Sequence, residues 1–197
     1  TNFQDRFLDI ISKFKHVTLN LSIDGIEGVQ EYIRYPSKWK AIKKNMDLLI
    51  TKIKKNSTQF QLVFTPTVSI LNVASFDELI NWCYNFSVNN HEEYMIEWDM
   101  QPIFLHGPQF QDMINATKSL RDYALQRLSK VDQKKLDHFP KLSPFVDEVV
   151  NTLEAKFIDE QEAKAFRKQL FKWNYSLDKN RGINITNYIP YSNLIYG

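Results

Sequence analysis

The stretch LNLSIDGIEGVQEYIRYPSKW, residues 19–39, holds the pattern that decides the predicted fold. Apolar and polar residues alternate through its first part, which is typical of a strand with two different faces. The apolar face carries Val17, Leu19, Leu21 and Ile23, and the polar face carries Thr18, Asn20, Ser22 and Asp24. We predict a strand over residues 16–23, which ends before Gly25 because glycine permits a sharp turn.

Helices and strands alternate along the rest of the first half of the chain. Apolar residues at helical spacing predict three helices, over residues 3–14, 37–55 and 75–86. Two further strands are predicted, one near residues 60–73 with an interruption at Pro66, and one near residues 94–105. This alternation predicts a parallel sheet with helices packed against it.

Two serines stand where helix caps are expected. Ser37 follows Pro36 ahead of the second helix, and Ser75 begins the third, with Glu78 three residues further on. A serine followed by an acidic residue at this spacing forms the capping-box pattern, in which each side chain accepts from the other residue's backbone N–H. We therefore predict that Ser37 and Ser75 cap these helices.

The chain becomes helical after Pro108. Three helices are predicted there, over residues 114–131, 143–157 and 159–177, ahead of a turn-rich aromatic tail. The predicted apolar face of the last helix consists of Phe166, Leu170, Trp173 and Leu177. The sequence thus predicts an α/β protein in two parts, residues 1–107 with parallel strands and residues 108–197 as a helical C-terminal extension.

The polar face of the first strand indicates what kind of sheet this is. Parallel strands are normally buried on both faces, by crossover helices or by closure into a barrel. A sheet of three parallel strands also leaves both edges unpaired. A polar face in such a sheet is best explained as the lining of a cavity, so we predict that residues 1–107 form a partial, TIM-like (β/α) barrel.

Composition excludes several classes of function. The chain has 25 basic and 23 acidic residues, and this balance argues against a nucleic-acid partner. No apolar run is long enough for a transmembrane helix, and no signal-peptide pattern is present, so we expect a cytoplasmic protein. The single cysteine, Cys83, excludes an intrachain disulfide and a cysteine-based zinc site, and we predict that it is a buried structural thiol.

The end of the first strand is the candidate site. Ligands of parallel α/β folds bind at the carboxyl ends of the strands, where Ser22 and Asp24 fall. Arg34 follows after the loop. A hydroxyl, a carboxylate and a guanidinium can together bind a zwitterion, because the carboxylate accepts from an ammonium group and the guanidinium pairs with a carboxylate. The alternative is that Asp24 only forms the turn and Arg34 only makes a surface ion pair.

The segment SIDG, residues 22–25, followed by EYIRYPSKW, resembles the fourth-strand segment of the radical S-adenosylmethionine (SAM) superfamily. The similar branch is the one with twitch or SPASM-type C-terminal extensions. In that family an arginine follows the serine by twelve residues, as Arg34 follows Ser22. The resemblance implies that Ser22, Asp24 and Arg34 hold SAM, with the arginine on its carboxylate. The family often has His-Asp or Asn-Glu where this chain has Gln30 and Glu31.

Three further segments resemble the same family. TVSILNV, residues 67–73, is similar to its fifth strand and implies that Asn72 binds the cofactor. PIFLHGP, residues 102–108, is similar to its sixth strand and implies that His106 contacts the substrate. LDKNRGINITNYIP, residues 177–190, is similar to the closing helix and tail of the twitch branch.

The resemblance implies an enzyme that reductively cleaves SAM to a 5′-deoxyadenosyl radical, which takes hydrogen from a peptide or small-molecule substrate. That reaction needs a 4Fe–4S cluster on a C-x3-C-x2-C motif, which this sequence lacks. The first residue is Thr1 rather than Met, so we expect the C-terminal portion of a longer enzyme, inactive by itself. The alternative is a degenerate homologue that acts as a non-enzymatic binding or interaction module.

Overall fold

The computed structural model describes residues 7, 10–11, 13–55, 58–91, 96–155 and 159–196. The predicted first helix, residues 3–14, lies partly outside this range. Phe7, Ile10 and Ile11 are helical, and Phe3 is among the residues that are not described.

A parallel sheet forms the centre of the first half, as the alternation of elements predicts. Its strands are β1 (His16–Leu21), β2 (Gln59–Phe64) and β4 (Ile96–Met100), in the order β1-β2-β4. Two short strands, β3 (Thr67–Val68) and β5 (Ile103–Phe104), pair in parallel beyond breaks at Pro66 and Pro102. Proline has no N–H to donate to a neighbouring strand, which explains breaks at these positions.

The register of the sheet separates an apolar face from a polar one. Leu19 of β1 lies beside Leu62 of β2, which lies beside Trp98 of β4. On the other face Thr18 lies beside Gln61, and Gln61 lies beside Glu97. The predicted strand ends two residues early, at Leu21, so Ser22 lies just beyond its carboxyl end.

The crossover helices pack on the apolar face of the sheet. They are α1 (Glu27–Ile33), α2 (Trp39–Ile53) and α3 (Phe76–Asn89). Trp82 of α3 stacks edge-on against Phe64 of β2, with ring centroids 6.0 Å apart, and against Trp39 of α2 at 4.9 Å. Because both connections lie on the same side, the polar face carries no crossover helix among the described residues.

The second half is helical, as predicted. It contains α4 (Lys118–Leu128), α5 (Gln133–Asp137), α6 (Leu142–Glu154), α7 (Glu160–Arg181) and α8 (Ser192–Tyr196). These helices share one hydrophobic core with the sheet, and Phe139 packs edge-on against Phe64 at a centroid distance of 6.4 Å. The structure is therefore a mixed α/β fold with a small parallel sheet, and its described residues form no closed barrel.

Neither serine predicted as a helix cap forms a side-chain hydrogen bond to the first N–H groups of its helix. The carboxylate of Glu31 accepts from the N–H of Trp39 at 2.9 Å, so Glu31 rather than Ser37 satisfies the start of α2. Ser75 does occupy the N-cap position of α3, but its hydroxyl bonds Tyr191 Oη at 2.8 Å instead of the helix N–H groups.

The predicted inner face of α7 is partly wrong. Leu170 is buried, but Trp173 is exposed, and the other buried positions are Ala163, Arg167 and Asn174. Residues three and four apart occur on every face of a helix. The apolar residues of α7 therefore did not identify which face is buried.

Cys83 is fully buried, as predicted for a structural thiol. Burial raises the pKa of this thiol well above its ordinary value, which removes the thiolate needed for a nucleophile. Within the described part of the chain, no helix combines the length and the apolar character that a membrane crossing requires.

Candidate functional site

Asp24 is the centre of the site that the sequence predicts. Its side chain is only 3% exposed, directly after the carboxyl end of β1. Arg34 donates to both carboxylate oxygens, from Nε at 2.5 Å and from Nη2 at 3.3 Å. The backbone N–H of Thr67, the first residue of β3, donates to the same carboxylate at 2.8 Å. Asp24 thus joins a loop to a strand that lies 43 residues away in the sequence.

Two amide side chains hold the backbone around Asp24. Gln30 of α1 accepts from the N–H groups of Asp24 and Gly25, at 2.8 Å and 3.2 Å. Asn72 donates to the carbonyls of Asp24 and Thr67, at 2.7 Å and 2.8 Å. Buried backbone groups need partners, and these amides supply them where regular structure stops. Asn72, which the resemblance implies binds the cofactor, therefore lies beside Asp24 and bonds protein backbone.

Arg34 faces a cavity of about 290 Å³ at the end of β1. Residues 20–23 all line this cavity, so it follows the outer edge of β1, where no strand pairs among the described residues. Its polar lining consists of Asn20, Ser22, Gln30, Arg34, Ser37 and Asn45. Ser22 and Arg34, which the sequence predicts to meet, do line one cavity.

The ion pair with Asp24 keeps the guanidinium of Arg34 charged and holds it in one orientation. The hydrogen bond to Asp24 raises the pKa of the guanidinium, so Arg34 stays positively charged. Its side chain is 42% exposed, and Nη1 has no partner within the described residues. A guanidinium held on one edge by a buried carboxylate is pre-organised to bind a second anionic group on its other edge.

The C-terminal segment anchors α1, the helix that ends just before Arg34. Arg181 donates to the carbonyl of Tyr32 at 3.1 Å, and its guanidinium lies 4.8 Å from the ring centroid of Tyr35. A Cβ on Gly28 would lie 2.5 Å from the carbonyl oxygen of Tyr188, so only glycine fits at this close approach. The C-terminal segment that contains Arg181 and Tyr188 therefore fixes the position of α1 and of Arg34, which follows it.

His106 lies apart from this cavity. It follows β5 by two residues, is exposed, and does not line the cavity beside Arg34. Sequence reasoning missed Asn45 as a lining residue and Gln30 as a backbone anchor. Gln30 was visible in the sequence as a departure from the family pattern, but its acceptor role depends on the fold of the loop.

A larger cavity, of about 600 Å³, lies at the opposite end of the sheet. Residues from the amino ends of the strands line it, together with three histidines, His16, His91 and His138. Ligands of parallel sheets bind at the carboxyl ends of the strands, and the described residues that line this larger cavity form no ion pair like that of Arg34. The smaller cavity is therefore the better candidate site despite its size.

The described residues do not fit an iron–sulfur cluster. Such a cluster needs several thiolates, and the chain has one cysteine, which is buried. Over the described ranges, no group of three or more His, Cys, Asp or Glu side chains could hold a metal ion. The cavity beside Arg34, in contrast, contains hydrogen-bonding groups and a cation suited to an organic ligand with a carboxylate.

Comparisons with known proteins provide no relative for this chain. No family model, no curated protein and no solved structure matches it.

Proposed function

We propose that this chain binds SAM in the cavity beside β1, as the cofactor-holding part of a radical SAM enzyme of the twitch or SPASM-like branch. The observation that carries the proposal is the meeting of Ser22 and Arg34 in one cavity at the carboxyl end of a parallel strand. The serine–arginine spacing led us to expect that these two residues, which a loop and a helix separate, serve one ligand.

The fold supports the proposal at the level of the sheet. Three parallel strands follow one another in chain order, with their crossover helices on one face. Right-handed crossovers wound in a single direction produce a sector of a (β/α) barrel. In such a sector the polar row of Thr18, Gln61 and Glu97 would line the barrel interior.

Each site residue has a distinct role in this proposal. Nη1 of Arg34 pairs with the carboxylate of SAM, and the hydroxyl of Ser22 bonds its amino-acid part. Asp24 is a positioning residue, because every described bond of its carboxylate goes to Arg34 or to the N–H of Thr67. Asn72 positions the same loop, and His106, outside the cavity, is proposed to contact the substrate.

The activity implied by the resemblance is reductive cleavage of SAM followed by hydrogen abstraction from a peptide or small molecule. The described residues contain no ligand set for the 4Fe–4S cluster that this reaction requires. The role proposed for this chain is therefore to bind and orient the cofactor, and the chain alone is inactive.

A ligand series tests the proposed carboxylate contact. Equilibrium dialysis would compare SAM with 5′-methylthioadenosine, which lacks the amino-acid part. We expect SAM to bind at least about tenfold more tightly, and Arg34→Gln to remove that preference. Equal binding of the two ligands by the unaltered chain would contradict the proposal.

The alternative is a non-enzymatic module that binds its ligand in the cavity beside Arg34 without a cluster. The coding sequence ahead of Thr1 distinguishes the two functions. Three in-frame cysteines at C-x3-C-x2-C spacing would support the enzyme, and an upstream sequence without them would support the module.

A further inference from the structure

The outer face of α7 carries a run of positive charge beyond the first turn of the helix, which contains Glu160 and Glu162. Lys164, Lys168, Lys172 and Lys179 are all exposed, and none of them forms an ion pair with another described residue. No Asp or Glu occurs between Glu162 and Asp178, and Asp178 accepts from the N–H of Ile185 instead of facing outward. This concentration stands out in a chain whose net charge is only +2.

Two aromatic rings lie among these lysines. Phe171 is 52% exposed and Tyr175 is 64% exposed, and their rings stack with centroids 6.4 Å apart. Large exposed aromatic side chains that adjoin one another are typical of binding surfaces, because they lose little entropy when covered. We call Lys164, Lys168, Phe171, Lys172, Tyr175 and Lys179 the basic–aromatic stripe.

The spacing of the stripe places its side chains in one row along α7. Lys164, Lys168, Phe171 and Tyr175 follow each other by four, three and four residues, and residues three or four apart are neighbours on a helix surface. From Lys164 to Lys179 the stripe runs about 22 Å along the helix axis. The opposite face of α7 packs into the protein through buried Leu170 and Asn174, so the stripe is the outward surface.

We propose that the basic–aromatic stripe docks an acidic amphipathic helix of a partner or substrate protein. Carboxylates one turn apart on that helix would pair with the lysines, and its apolar residues would cover the rings of Phe171 and Tyr175. A single helix presents a convex ridge, which fits another helix better than it fits a single-stranded nucleic acid, since proteins bind those strands in basic grooves.

Fluorescence anisotropy tests this docking with the full chain. The probe is a fluorescein-labelled peptide of three heptads, with leucine at the core positions and glutamate beside them. A matched probe has glutamine in place of every glutamate, and labelled oligouridylate tests the nucleic-acid outcome. We expect saturable binding of the acidic probe only, weakened about tenfold when NaCl rises from about 0.05 M to about 0.5 M.

Matched variants locate the binding surface. K164E/K168E/K172E should weaken the acidic probe at least about tenfold, because it removes three attractive contacts and adds repulsion. K40E/K43E/K44E makes the same change of charge on exposed positions of α2 and should leave binding within about twofold. F171A/Y175A, which keeps the charge, should also weaken binding. Circular dichroism would establish that each variant keeps its helices.

Four results would overturn the proposal. These are no saturable binding of the acidic probe, equal loss in the α2 variant, unchanged affinity in F171A/Y175A, and tighter binding of oligouridylate than of the peptide. None of these results depends on SAM, so the proposed function stands or falls separately.

Discussion

Arg34 and Arg127 form similar ion pairs in different settings. Arg127 of α4 uses all three of its guanidinium nitrogens, on Asp77, Glu78 and Tyr123, and its side chain is 24% exposed. Arg34 lines a cavity and binds Asp24 through two nitrogens, and its third nitrogen, Nη1, has no partner among the described residues. An arginine whose three nitrogens all have partners fastens one helix to another, whereas one with an unpartnered nitrogen at a cavity is available to a ligand.

Asp24 and Asp77, the carboxylates that bind these two arginines, differ in what else depends on them. The largest expected effect on stability follows from this difference. Asp24→Ala should lower stability by about 2 kcal/mol or more, because the N–H of Thr67 in β3 and the guanidinium of Arg34 both lose a buried acceptor. Asp77→Ala should cost about 1 kcal/mol, since Arg127 keeps Glu78. Thermal denaturation measures both. Equal melting temperatures for the two variants would contradict this ranking.

The close approach at Gly28 gives the next effect. Gly28→Ala should cost about 1–3 kcal/mol, because its Cβ meets the backbone of Tyr188 and either α1 or the tail must move. Gly107→Ala is the matched control, since an added Cβ there meets nothing within 4 Å, and it should cost less than about 0.5 kcal/mol. Urea denaturation of the two variants compares them, and similar midpoints would refute the anchoring of α1 by the tail.

Substituting the two arginines should separate stability from ligand binding. Arg127→Ala should lower stability by about 1–2 kcal/mol and leave SAM affinity unchanged, because its partners lie on α3 and α4. Arg34→Lys retains the positive charge, but a lysine cannot bind Asp24 through one nitrogen pair and offer a further nitrogen to a ligand. It should therefore weaken SAM binding about tenfold, with a smaller change in stability. If Arg127→Ala weakened SAM binding as much, Arg34 would not be the specific contact.

A pH dependence should be the smallest effect, and it arises away from both ion pairs. Burial lowers the pKa of His138 below its ordinary 6.5, and its Nε2 lies 2.8 Å from Ser87 Oγ. The unfolded chain therefore takes up this proton at a higher pH than the folded chain does. Stability should fall as pH drops from 6.5 through the lowered pKa of the folded state.

The variant His138→Gln isolates that contribution. Its stability should change less than that of the unaltered chain between about pH 7 and pH 5, a difference below about 1 kcal/mol. Urea denaturation at both values measures this. An identical pH dependence in the two proteins would show that His138 does not contribute.

The sequence predicted the parallel sheet but not the bonds at its carboxyl end. Alternation at residues 16–23 indicated β1 and its polar face, and the resemblance implied that Ser22 and Arg34 hold one ligand, which stays a prediction. The contact of Asp24 with Thr67 could not be predicted, because it depends on where a distant strand resumes after Pro66. Glu31 as the acceptor at the start of α2 was missed for the same reason, since it reaches Trp39 only through the folded loop.

The central claim is that Arg34 presents its free edge to the carboxylate of SAM. Isothermal titration of SAM into this chain tests it most directly, with Arg34→Lys and Arg127→Ala titrated alongside. We predict saturable binding that Arg34→Lys weakens about tenfold and Arg127→Ala leaves unchanged. Absence of binding by the unaltered chain, or equal binding by all three proteins, would contradict the claim.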